Sequence, residues 1–417
     1  MQSHPEASRR GFLKATAATA AAAAFHPQFT IADEGAKGAN QRIGVGFIGV
    51  GNRCQEHIRI VNALKARGRC EPVAVCDVYL PHLEAAARKT GGRAYRNHQE
   101  LLADPRVDAV CIAAPDRRHA PLALDAIRAG KDVYCEKPLT HWSQMDLARQ
   151  LGEEAEKHQR IVQVGTQYVA DDAYAQVRKL LKEGIIGKVV HVQAGYFRRG
   201  DWGERMPIVD PNLRPGPSLD WERWLGDAAE RDYTPSRFFQ WRMYWDYAGG
   251  PATDLLVHVF TPVFCLLELD FPERVLGGGG NFQYRREVPD QCNIIADYAG
   301  GPSVVLTNSL SNFTGIDTIL RGTDGLIQFG NVEHLGKGIR IVPVAKGAKE
   351  ILVPWQGAGD TAKLWSNFLD CIHSRQRPYS PIDVAVRVQA PLNMAILSHR
   401  ESKVAKFDKQ KMAIVLS

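Results

Sequence analysis

The sequence predicts an α/β protein in two parts. An N-terminal doubly wound parallel sheet of Rossmann type precedes a C-terminal open, mostly antiparallel sheet covered by helices on one face. Three observations predict this. From residue 42 to about 165, short apolar runs alternate with helical patterns, the rhythm of parallel strands joined by crossover helices. The first run breaks into Gly49-Val-Gly51-Asn52-Arg53, where a buried strand turns into a helix through glycines. After Gly165 the runs become longer and alternate in polarity, as half-buried antiparallel strands do.

Taken in order, the chain opens with Ser8-Arg9-Arg10-Gly11-Phe12-Leu13-Lys14 and an alanine-rich run over 15–24. This is the pattern of a twin-arginine (Tat) export leader, assigned to residues 1–32. The run is too short to span a bilayer, which needs about 20 apolar residues. Residues 42–165 form the Rossmann part, with strands expected at 43–48, 72–76, 109–113, 132–135 and 161–164 and helices at 57–66, 80–89, 120–129 and 143–158. Residues 166–380 form the second part: a helix over 173–181, strands at 189–196, 273–284, 291–298, 303–310, 318–321, 325–329 and 339–343, and a helix over 361–374. Between its first two strands lie a Pro/Trp/Arg-rich loop over 200–246 and a helix over about 250–269. A helix over 383–399 within a 381–417 tail closes the chain.

At 417 residues, with 45% apolar and 24% charged residues, the mature chain exceeds what one core usually serves. The net charge of +6 is dispersed, with no basic block interleaved with aromatics, so nucleic acid is not an expected partner. No later segment has the length of a membrane span. The eight cysteines, at 54, 70, 76, 111, 135, 265, 292 and 371, form no CxxC pair and stand beside no His at ligand spacing, so no metal site is expected. Cys76, Cys111 and Cys135 end apolar runs and read as small buried strand residues.

Gly49 permits a tight turn and Gly51 lets the backbone approach a diphosphate, with Asn52 and Arg53 opening the helix. The third position of the fingerprint is Cys54, larger than the usual Gly or Ala. Asp77 follows the second strand, where a carboxylate accepts from an adenosine ribose and repels a 2′-phosphate; a solvated loop residue is the alternative. Residues 78–80 offer no cation. NAD is therefore favoured over NADP, with Arg53 the residue that leaves NADP open.

Two further segments, Ala113-Ala-Pro-Asp-Arg-Arg-His119 and Glu136-Lys137-Pro138-Leu139-Thr140, resemble the glucose-fructose oxidoreductase/inositol dehydrogenase (Gfo/Idh/MocA) family, over nearly the whole mature chain. The resemblance implies that Pro115, Asp116 and His119 flank the dinucleotide, that Glu136 orients the nicotinamide or its ribose, and that Lys137 faces the reacting hydroxyl. An ammonium at a strand's carboxyl end can polarise a substrate C–O bond; an ordinary surface lysine is the alternative. In Gly249-Gly250-Pro251-Ala252-Thr253-Asp254-Leu-Leu-Val-His258, Asp254 and His258 are four apart, so on one helix they share a face and the carboxylate can set the imidazole's tautomer. With the family resemblance this completes a Lys137/Asp254/His258 catalytic set; a dipole-favoured Asp and a half-buried His are the alternative. Gln167 and Tyr168 resemble family positions lining the nicotinamide and the substrate. Arg242, Trp245 and Tyr247, in an aromatic stretch over 237–247, are either a sugar-binding wall or the packing of a long insert.

The resemblance implies an NAD-dependent oxidoreductase acting on a sugar or polyol hydroxyl, in the periplasm or otherwise exported. Away from a free nicotinamide pool, such an enzyme has to retain and recycle its cofactor. The alternatives are a redox-neutral NAD-dependent glycoside hydrolase or lyase (oxidation at C3, elimination, hydration, reduction) and a non-catalytic sugar- or NAD-binding protein. The open sheet leaves one broad face to cover, which implies a homo-oligomer, dimer or tetramer.

Overall fold

The structure, a computed structural model, describes residues 42–200, 206–332, 336–345, 347–355, 357 and 359–417. The export leader lies outside the described residues, which belong to one compact unit.

Six parallel strands, β1 (Ile43–Ile48), β2 (Cys70–Cys76), β3 (Arg93–Tyr95), β4 (Ala109–Ile112), β5 (Asp132–Cys135) and β6 (Val162–Val164), form a sheet in the order β3-β2-β1-β4-β5-β6. Every residue of β1, β4, β5 and β6 is buried, because helices cover both faces, and this is why the strands read as unbroken apolar runs. Those helices are α1 (Asn52–Ala66), α2 (Leu80–Thr90), α3 (His98–Leu102), α4 (Asp116–Arg128) and α5 (Met145–Lys157). Strand order reverses between β1 and β4, which opens a crevice at their carboxyl ends.

The second sheet runs β15-β14-β13-β12-β7-β10-β9-β8-β16-β17, with β11 beside β7. Its members are β7 (Val189–Arg199), β8 (Arg274–Gly280), β9 (Gln291–Asp297), β10 (Ser303–Ser309), β11 (Ser311–Asn312), β12 (Thr318–Gly322), β13 (Gly325–Val332), β14 (Gly336–Pro343), β15 (Ile351–Pro354), β16 (Ala405–Asp408) and β17 (Ala413–Leu416). All pairs are antiparallel except β7 with β10. The 381–417 segment is more than a helix and tail, because β16 pairs with β8 and extends the sheet. Strand β8 stops short of the expected residue 284. The Asp290 carboxylate captures the amides of Phe282, Gln283 and Tyr284 at 2.8–3.1 Å, donors that a longer strand would have used in the ladder.

Helices cover one face of this sheet: α6 (Ala173–Lys182), α9 (Pro251–Asp254), α10 (Leu256–Leu267) and α12 (Ile382–Glu401), while α11 (Thr361–Ser374) packs back on α1. Helix α12 lies between β8 and α5 and so joins the two sheets. It approaches β8 closely because Gly277 has no Cβ to collide with the Ala395 carbonyl. Among the described residues the opposite face is left open, with Leu276, Ile295 and Leu352 exposed on it. Along one cross-strand row it presents Leu276, Ile295, Val305, Gln193, Ile319, Gln328, Arg340 and Leu352.

The 200–246 segment, expected as a loop, contains α7 (Trp221–Leu225) and α8 (Pro235–Phe239). Asp220 and Thr234 cap them by accepting from the amides of Arg223 and Arg237. Its aromatics form a third core, separate from the other two.

Candidate active site

A cavity of about 640 Å³ runs along the carboxyl ends of the parallel strands, between them, the α9–α10 junction and the insert, within the size range of ligand sites. Gly49, at φ +77°, turns the chain out of β1, and a Cβ there would lie 2.8 Å from the Ala114 amide nitrogen. No side chain caps α1 behind Gly51, and no acidic residue occupies its first turn. The amides of Asn52 and Arg53 therefore open towards the cavity as an anion site. A Cβ on Gly51 would meet only His82, at 3.5 Å, so the turn leaves room for a diphosphate. Asp77 closes the turn, accepting from the amides of Val50 (2.8 Å) and Tyr79 (2.9 Å). Burial pushes its carboxyl up, against the pull of His82 and these amides.

Arg53 does not face Asp77. Its guanidinium is committed to Glu136 Oε1, with Nε at 2.8 Å and an Nη at 2.7 Å, which removes the one cation that left a 2′-phosphate open in the sequence. The same oxygen accepts from His57 Nε2 at 2.9 Å, and Trp365 on α11 donates its indole N–H to His57 Nδ1 at 2.9 Å. Because indole only donates, the His57 proton sits on Nε2. Burial would raise the Glu136 pKa, but Arg53 and then His57 outweigh it and hold the carboxyl below the usual range. His57 and Trp365 carried no signal in the sequence. His119 lines the cavity, but both ring nitrogens face carbonyls, Pro138 O at 2.6 Å and Ala114 O at 2.7 Å, so the ring braces two loops. Pro115 caps α4 on the same wall. Gln167 also lines it, and its Oε1 is buried without a partner among the described residues.

The chemistry gathers at the α9–α10 junction. Lys137 Nζ donates to Asp254 Oδ1 at 2.7 Å and to the Asp254 carbonyl at 2.9 Å, and Arg242 Nε stands 3.6 Å from the same carboxylate. Burial opposes ionisation of Asp254, but Lys137 and then Arg242 override it and keep the carboxyl well below its ordinary value. The expected Asp254–His258 hydrogen bond is not made. The helix breaks at Leu255 (φ −113°, ψ −49°), and Lys137 takes the carboxylate instead. His258 Nδ1 is buried and has no partner among the described residues, and the ring lies edge-on to Tyr168 at 5.5 Å. Burial, then Lys137, pull its pKa down to about 3, so the imidazole is neutral. Asp116 is pushed up to about 7, chiefly by burial, against the field of Arg242.

Of the residues expected to bind substrate, Arg242 lines the cavity. Tyr168 stands one layer behind, against His258. Trp245 and Tyr247 are not on the wall. Tyr247 is packed in the insert's core, and Trp245 is packed on Trp142 at 5.7 Å with Arg400 over its ring. From the 237–247 stretch Phe238, Phe239 and Trp241 also line the cavity, and the structure adds Tyr196, Arg96, Arg223 and Trp224, which no motif marked because they come from distant elements.

Comparison with known proteins agrees with this architecture. The chain is similar to inositol 2-dehydrogenase of Gluconacetobacter diazotrophicus, 34% identical over 191 residues, 45% of this chain and 55% of that protein. It is also similar to inositol 2-dehydrogenase of Rubrobacter xylanophilus, 31% identical over 204 residues, 49% and 54% of the two chains. The chain thus spans about half the length of the curated relatives it matches. Two solved structures share the fold at 18% identity. They are the WlbA dehydrogenase of Bordetella pertussis in complex with NADH and UDP-GlcNAcA (TM-score 0.65, 88% of this chain and 99% of that one), and levoglucosan dehydrogenase with NADH and levoglucosan (TM-score 0.66, 90% and 99%). Residues 6–26 match the twin-arginine translocation signal, so the protein is exported by that pathway. Residues 43–166 match the NAD-binding Rossmann fold, and 171–417 the C-terminal alpha/beta domain, of one oxidoreductase family. The chain belongs to the Gfo/Idh/MocA oxidoreductase family.

Proposed function

We propose that the protein is an NAD-dependent oxidoreductase acting on a hydroxyl of a sugar or polyol, with its dinucleotide retained through turnover. The observation that carries the reading is the meeting, in one cavity, of the Lys137 ammonium with a neutral His258 imidazole. Bound NAD supplies the hydride acceptor. Gly49, Gly51 and the amides of Asn52 and Arg53 would hold its diphosphate, Asp77 its adenosine ribose, and Gln167 Oε1 a donor from the nicotinamide end. Two of the three Lys137 N–H donors are spent on Asp254, which leaves one for a substrate oxygen. A positive donor fixed in a half-enclosed site, its side chain 11% exposed, stabilises that oxygen as its proton departs. His258, whose buried Nδ1 has no partner among the described residues, is the ring placed to take the proton. Asp254 positions the ammonium, and Arg242, with its guanidinium 4.1 Å from the Trp241 ring centre, is placed to reach a further hydroxyl.

The named substrates of the similar proteins, inositol and levoglucosan among them, support a polyhydroxylated substrate. The bare face of the large sheet supports a homo-oligomer, with Leu276 and Ile295, 41% and 43% exposed, at the centre of its apolar end. The test is appearance of reduced nicotinamide on incubation with inositols, aldoses and anhydrosugars. Lys137→Ala and His258→Ala should retain NAD yet lose roughly two to four orders of magnitude in turnover. Full turnover in both variants would overturn the assignment.

A further inference from the structure

The insert between β7 and α9 closes over one half of the dinucleotide crevice, and it is tied to both banks. On the β2 side, the turn Gly216-Pro217-Ser218-Leu219 lies antiparallel to the loop after Asp77. Leu80 N donates to Ser218 O at 2.9 Å, Asp220 N donates to Val78 O at 3.1 Å, and Tyr79 is bridged to Leu219. Arg96 fastens the same junction, donating to Val78 O at 3.1 Å and to Pro217 O. On the β4 side, Arg117 donates to Asp227 O and Gln144 to Asp227 Oδ2, both at 2.9 Å. The Tyr79 ring enters the insert's aromatic core, 5.3 Å from Phe238. The loop that carries the ribose carboxylate and the insert therefore share one packed unit. Arg223, Trp224, Phe238 and Phe239 of the insert face the same cavity as Asp77 and His82.

We infer that residues 216–239 are a strap that holds the adenosine half of NAD in place, so that release of the cofactor requires the strap to part from Val78–Leu80 and from Arg117 and Gln144. This rests on the reading of the cavity as a dinucleotide site. The strap joins loops on either side of the point where strand order reverses, the place at which this fold class binds its ligand. On the β2 side it is held by main-chain bonds backed by a buried aromatic core, so its opening there costs more than that of a surface loop held by side chains alone. Such a strap gives an exported enzyme a physical means of keeping a cofactor it cannot replace.

Locking and loosening the strap test this. The bonds from Leu80 and Asp220 flank Tyr79 and Leu219 as a non-hydrogen-bonded antiparallel pair, with Cα atoms about 4.5 Å apart, within disulfide range. The full-length Tyr79→Cys/Leu219→Cys protein is loaded with radiolabelled NAD, passed into NAD-free buffer, and assayed for label retained over time, oxidised and after reduction. The oxidised protein should hold its label while the reduced protein empties. Asp227→Ala, which removes the Gln144 bond and the Arg117 ion pair of the carboxylate while the Arg117 bond to the residue-227 carbonyl survives, should release NAD about two- to fivefold faster than the parent. Equal release rates from the oxidised and reduced forms, or an unchanged rate in Asp227→Ala, overturn the strap while leaving the dinucleotide site standing. If no form binds labelled NAD, the dinucleotide reading falls and the strap with it.

Discussion

Replacing Asp254 with Asn removes one charge from the reaction centre and keeps its shape. In the native site the Lys137 and Asp254 side chains are 2.7 Å apart and only 11% and 16% exposed, with Arg242 Nε 3.6 Å from the same carboxylate. Without the carboxylate, two cations face each other with little water between them. Breaking a buried pair by removing one partner costs about 3–5 kcal/mol. Asparagine still offers an oxygen to Lys137, and the residue-254 carbonyl, which accepts at 2.9 Å, survives, so the lower end, about 3 kcal/mol, applies. For a chain of this length that lowers Tm by roughly 4 °C. The Asp254 carboxyl is held below its ordinary value because Lys137, then Arg242, outweigh burial. Its stabilisation is therefore complete above the unfolded pKa of roughly 4 and fades as pH falls through the depressed folded value. Thermal melts of wild type and Asp254→Asn from pH 3 to 8 should show a gap that is full at pH 7 and narrows below about pH 4. In parallel, turnover should fall, because Lys137 loses the carboxylate that positions its ammonium in the cavity. A variant that melts with the wild type at pH 7, or a gap that stays constant down to pH 3, would refute the ion pair as the source of the stability.

Asp116 titrates in the opposite sense. Burial pushes it up to about 7, so the folded protein keeps a proton that the unfolded chain has released, and stability falls as pH rises from roughly 4 to 7. Asp116→Asn should remove that slope and gain on the wild type between pH 5 and pH 8 in denaturant titrations; parallel curves would sink the idea. On the bare sheet face, Ile295→Glu places a carboxylate in the Leu276–Ile295–Val305 row. Light scattering after size exclusion should show the variant smaller than the wild type, and a monomeric wild type would end the sheet-to-sheet proposal.

What was legible in the sequence follows from how local each signal is. Strands β1, β4, β5 and β6 stand out because they are buried on both faces, and Gly49, Glu136-Lys137 and the residues from Gly249 to His258 are contiguous motifs. Arg93–Tyr95 is three residues long with two of them exposed, too brief for any periodicity. Trp365 and His57 meet across 308 positions, and Arg53 and Glu136 across 83, so no spacing rule could join them. The Asp254–His258 spacing misled for a definite reason: it assumed an unbroken helix, and a lysine from the loop after β5 competes better for the carboxylate than a neutral imidazole does.

The reaction centre is also a statement about assembly. Lys137 lies two residues past the end of β5, whereas Asp254 and Arg242 belong to the second part of the chain, and each part alone carries a charge it could bury only at a cost of several kcal/mol. Glu136, the residue beside Lys137, is linked to the second part only indirectly. Its partners Arg53 and His57 lie in the Rossmann part, but His57 is oriented by Trp365 from α11. The Lys137–Asp254 pair forms only once the two parts have docked, so a complete reaction centre and a docked chain are the same event. For a protein exported by the twin-arginine route, that coupling makes docking of the two parts the step that completes the reaction centre.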